Sequence, residues 1–67
     1  MPLYDKYNGF QSVCNAALGE YIHKGFCLVE GKKHKLHLYH YSEPVDTFCY
    51  DVAVSAVRSA CVEHLGE

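Results

Sequence analysis

The 67 residues suffice for one domain and no more, because a chain of this length buries only about 60% of the surface that its unfolded form exposes. Eight acidic residues against six basic ones give a formal net charge of −2, which excludes a uniformly basic nucleic-acid binder; a hydrophobic fraction of 49% with six Tyr and three Phe excludes a disordered chain. No apolar run approaches the length of a membrane helix or follows a basic start, so neither a span nor a signal peptide is expected, the expected location is cytoplasmic, and Cys14, Cys27, Cys49 and Cys61 are expected as reduced thiols.

The first element is helical. Leu3, Tyr7, Phe10, Cys14, Ala17 and Tyr21 follow one another at steps of four and three and share one helix stripe. Asn8 with Gln11 offers a cap, so the regular helix is expected to begin near Asn8, with residues 1–7 as an arm or separate turn. Gly19 and Gly25 are both terminators of the right kind, and a stop at Gly19 makes Glu20 to His23 a short strand.

A β-hairpin follows. Phe26 to Glu30 is β-prone, Gly31-Lys32-Lys33 supplies the turn, and His34 to Tyr41 alternates. Leu36 and Leu38 mark the core face, shared with His34 and His40. Lys35, His37, Tyr39 and Tyr41 are left for solvent or a partner.

The last element reads as a helix from about Pro44 to Leu65, with Pro44 in the first turn, Glu43 and Asp46 at the positive end, and Gly66 as the stop. Its small and apolar residues, Cys49, Val52, Val54, Val57 and Cys61 among them, span about half the circumference. That arc is wider than one sheet covers, so Val54, Val57 and Cys61 are expected at a homodimer contact. The fold class expected is α+β: helix, antiparallel sheet of two or three strands, and a long C-terminal helix packed on one sheet face. Residues 1–67 form a single domain with no linker or repeat.

Chemistry concentrates on the hairpin. Residues 23–41 hold four of the six Lys and Arg residues (Lys24, Lys32, Lys33, Lys35) and four of the five histidines (His23, His34, His37, His40), with Glu30 the sole acid among them. Flexible cations interleaved with flat rings suit an acidic protein surface or a phosphate backbone, and the same lysines also guard an edge strand against aggregation. Lys32, Lys33, Lys35, His37, Tyr39 and Tyr41 are the candidate partner-binding residues, with Tyr4 and Tyr7 as further exposed rings.

Metal binding is not expected, because alternate strand positions separate His34 and His40 from His37, and Cys61-x-x-His64 has no second pair with ligand spacing. No phosphate loop, nucleophile elbow or reactive-cysteine signature is present, so no enzyme and no cofactor are expected, and the cysteines read as small core hydrophobes.

With a break at Gly19, the order helix, three antiparallel strands, helix resembles the double-stranded-RNA-binding domain. The resemblance places a lysine-rich motif at Val45 to Asp51, where this chain reads Val-Asp-Thr-Phe-Cys-Tyr-Asp, an acidic stretch. The function expected is therefore non-catalytic binding of another protein or protein complex, in the manner of small phage or mobile-element inhibitors such as anti-CRISPR proteins that occlude a larger partner. The alternative is a nucleic-acid-binding module using the hairpin 24–41.

Overall fold

The computed structural model describes residues 9–66 of the chain. Leu3, Tyr4, Tyr7 and the Asn8 cap lie outside the described residues. Helix α1 (Gly9–Leu18) leads into a 3₁₀ helix (Gly19–Lys24), followed by strands β1 (Phe26–Glu30), β2 (Lys35–His40) and β3 (Glu43–Cys49) and helix α2 (Val54–Leu65). The sheet is antiparallel with order β1-β2-β3. The protein is an α+β domain whose C-terminal helix packs on the sheet.

Both glycines act as stops, for different elements. Gly19 has φ +51, which ends the α-helical ladder, and the chain tightens into the 3₁₀ turns rather than forming a strand at Glu20 to His23. Gly25 at φ +94 then ends those turns by donating its N–H to Ile22 O and Tyr21 O.

The segment expected as the first two turns of the last helix is instead β3. Its register explains why. Leu36 pairs with Phe48, Leu38 with Asp46 and Tyr39 with Pro44, so Val45 is an extra residue in a β-bulge. The bulge lets Val45 and Phe48, three apart, both pack against the core, which imitates helical spacing inside a strand. Pro44, suited to a first helical turn, sits in an edge strand, where its missing N–H costs little. Helix α2 starts only at Val54 and has no side-chain cap from Ala53.

Both helices cover the same sheet face. Val13, Cys14, Ala17 and Leu18 of α1 and Val57 and Cys61 of α2 meet Phe26, Leu28, Leu36 and Leu38 in the single core cluster of the described residues. Val57 and Cys61 are 0% exposed. Val57 and Cys61, expected at a homodimer contact, are thus taken up by α1 and the sheet, while Val54 is half-buried and Ala56 exposed.

The helices are also joined by a polar contact. Arg58 on α2 donates from Nε to Ala17 O and from Nη2 to Ala16 O, each at 3.1 Å, and so satisfies two carbonyls at the C-terminal end of α1.

Candidate functional site

Cross-strand partners share a sheet face, so the register defines the side opposite the helices. Cys27 pairs with Tyr39 and Tyr39 with Pro44; Val29 pairs with His37 and His37 with Thr47; Lys35 pairs with Cys49. No described element covers this face, and Val29 there is 45% exposed. Of the six candidate residues, Lys35, His37 and Tyr39 come together on it, each half-buried among its strand neighbours. Lys32 and Lys33, both exposed, occupy the turn that adjoins the Lys35 end.

Tyr41 stands apart. It lies in the β2–β3 turn at the opposite end, 71% exposed, with its ring against His40 (centroids 4.6 Å apart) and over Gly25, where a Cβ would fall inside the ring. The basic cluster of the sequence therefore divides between the two ends of the hairpin. Lys24 belongs to the Tyr41 end, its ammonium 5.3 Å from the Tyr21 ring centroid.

That second end also carries His40 and His64. His40 stacks on Phe26 (4.4 Å), meets His64 edge-on (4.9 Å) and donates from Nε2 to Lys24 O at 3.0 Å, which requires the hydrogen on Nε2 because a carbonyl only accepts. His64 Nε2 stands 4.0 Å from Glu43 Oε2. Cys61 lies in the core, away from any ligand set with His64, and no group of three His, Cys, Asp or Glu side chains able to hold a metal occurs among the described residues.

On the open face the polar groups are tied to one another. Lys35 Nζ donates to Cys49 Sγ at 3.3 Å, and His37 Nδ1 is 3.1 Å from Thr47 Oγ1. The His37 ring approaches Gly31, where an added Cβ would meet its Nε2 and Cδ2 atoms. Among the described residues, no carboxylate occupies a register position of this face. Glu30 is turned to the helix-covered side, where the Tyr50 hydroxyl donates to it at 2.7 Å, and Asp46 accepts the Thr47 N–H at the bulge on the border.

The basic turn is held in an uncommon backbone. Lys33 and His34 are both left-handed, φ 58, a pairing that usually selects Gly or Asn. His34, expected on the core face, instead sits exposed in this turn with its ring edge-on to Tyr50 at 5.2 Å.

The four cysteines separate into two kinds. Cys14 and Cys61 are buried, as expected of small core hydrophobes, and burial pushes both thiols above their ordinary pKa; the Cys14 S–H also reaches Leu28 O at 3.7 Å. Cys27 and Cys49 are exposed. Neither is the small core hydrophobe expected, because strand alternation turns their neighbours Phe26, Leu28 and Phe48 to the core and these two thiols away from it.

No protein family, no curated protein and no solved structure matches this chain. The likeness to the double-stranded-RNA-binding domain is one of element order, reached with different strands from those the sequence suggested. Val45 to Asp51 belongs to β3 and the turn after it, and the sole Lys or Arg of α2, Arg58, is engaged with α1. No helix among the described residues is long and apolar enough to cross a membrane.

Proposed function

We propose that this protein is a non-catalytic protein-binding module that contacts its partner through the uncovered sheet face and the Lys32-Lys33 turn. The observation that carries the reading is the composition of that face. Cys27, Tyr39 and Pro44 make one end of the face apolar and aromatic, Val29 extends it alongside His37, and the cations stand at the other end. Apolar and aromatic side chains beside a localised polar group suit a protein interface; a nucleic-acid groove carries cations along its whole track. A module with one free face acts by occluding or bridging a surface of a larger partner, as small phage and mobile-element inhibitors do.

Photo-crosslinking in the cell tests the reading. A benzoylphenylalanine at Val29 is expected to yield covalent adducts with another protein, while the same group at Ser59, exposed on α2, yields none. Adducts with nucleic acid at Val29 refute it in favour of the nucleic-acid alternative. Adducts of twice the chain mass place a second copy on this face instead.

A further inference from the structure

We infer that the open face takes an extended acidic segment of a protein, with carboxylates over the Lys35 end and one apolar side chain at the bulge about four residues away. The inference rests on the protein-binding reading above and names the chemistry of the partner.

Size argues for a segment. Strands of five, six and seven residues, about 4.8 Å apart with about 3.3 Å per residue, present roughly 300 Å² in projection, well under the about 800 Å² per partner that a stable interface between folded domains buries. An extended peptide of about six residues, by contrast, matches the length of β2.

Charge sets which end receives what. Lys35 lies on the face at one end with Lys32 and Lys33 in the adjoining turn, and no described carboxylate on the face neutralises them. At the other end His37, Tyr39, Pro44 and Thr47 border a shallow groove of about 310 Å³, room for one aliphatic or aromatic side chain. Asp46 at the rim of that groove repels a carboxylate there and so enforces the polarity. Lys35 and Tyr39 are four residues apart on one strand, about 13 Å, which fixes the spacing between the acids and the apolar residue.

Heteronuclear NMR on the ¹⁵N-labelled protein tests this with the blocked peptide Asp-Asp-Asp-Ser-Gly-Ser-Leu-Leu. Shifts are expected at amides of β1 to β3 and the Lys32-Lys33 turn, leaving α2 unmoved. A peptide of the same composition with Leu-Leu adjoining the acids is expected to bind at least about five-fold more weakly, because only one end can then be engaged. Lys35→Glu should weaken the first peptide about ten-fold and Lys35→Gln less, with the spectrum itself reporting that each variant is folded. No shifts at millimolar peptide, equal binding of the two peptides, or tighter binding of a lysine-substituted peptide or of single-stranded DNA overturns the inference. If the peptides fail while the Val29 crosslink captures a protein, only this inference falls; if both fail, the protein-binding reading falls with it.

Discussion

Replacing Arg58 with Ala is expected to loosen the joint between the two helices. The guanidinium is the one described side chain that satisfies carbonyls at the C-terminal end of α1, and both of its bonds are charge-assisted. Bonds to a charged group are worth about 1.5–3 kcal/mol when buried, but Arg58 is exposed and water replaces part of what is lost, leaving about 1–2 kcal/mol for the pair. For a domain of this size each kcal/mol moves the melting temperature by about 4–8 °C, so Arg58→Ala should melt at least about 4 °C lower. Arg58→Met keeps the aliphatic stem and separates lost packing from lost hydrogen bonds. Urea unfolding followed by circular dichroism measures the difference directly.

Gly19 supplies a second arm of the same experiment. Its φ of +51 and the 2.9 Å separation between an added Cβ and Arg58 Nη2 mean that Gly19→Ala strains the backbone and also displaces the guanidinium. In the Arg58→Ala background only the strain remains, so Gly19→Ala should cost less there than in the parent, and the double mutant should lose less stability than the sum of the two single changes. Arg58→Ala within about 0.5 kcal/mol of the parent, together with strictly additive effects, would refute the claim that this side chain ties α1 to α2.

The remaining predictions concern the thiols and the open face. Because burial raises the Cys14 and Cys61 pKa values, the folded chain keeps these protons at a pH where the unfolded chain loses them; the stability they confer is whole below the ordinary thiol range and declines as pH climbs through it toward the raised folded values. Melting temperatures from roughly pH 7 to 10 should therefore fall more steeply for the parent than for Cys14→Ala/Cys61→Ala, and parallel curves would refute the assignment. Gly31→Ala should push the His37 ring off its seat and break its contact with Thr47 while leaving the core unchanged; unaltered His37 ring resonances would show that the ring does not rest there.

How much of this was legible in the sequence depends on whether local period and tertiary environment agreed. They agreed in the hairpin, where Leu36 and Leu38 alternate with Lys35, His37 and Tyr39 and the structure keeps that division. They disagreed at Glu43 to Cys49, where one bulge residue converts strand alternation into the i, i+3 spacing of Val45 and Phe48. The β-branched Val45 and Thr47 and the aromatic Phe48 favoured a strand throughout; Pro44 and the acids beside it, read as a helix start, outweighed that signal. The true start at Val54 carried no cap to announce it. The candidate site was legible in part, since the face of β2 follows from alternation alone. The contributions of Cys27, Val29, Pro44 and Thr47 depend on register, and the separation of Tyr41 depends on a left-handed turn residue of a type that seldom occupies one.

The same bulge bears on where a partner can bind. A three-stranded sheet has two edges, and each is the usual place for another chain to add a strand. At β1, helix α1 approaches closely enough for the Cys14 thiol to reach Leu28 O. At β3, Pro44 offers no N–H, the extra residue at Val45 breaks the ladder, and the exposed Glu43 and Asp46 put charge along the rim. Strand addition is thus obstructed on both sides by features that cost the fold little. The face between those edges has no comparable guard: its most exposed aliphatic residue, Val29, lies opposite His37, with a lysine at one end and a proline at the other. A surface closed at its edges and open across its middle favours side-chain recognition over backbone pairing, which supports the proposal that the order of charge and apolar groups along β2, rather than its hydrogen-bonding pattern, selects the partner.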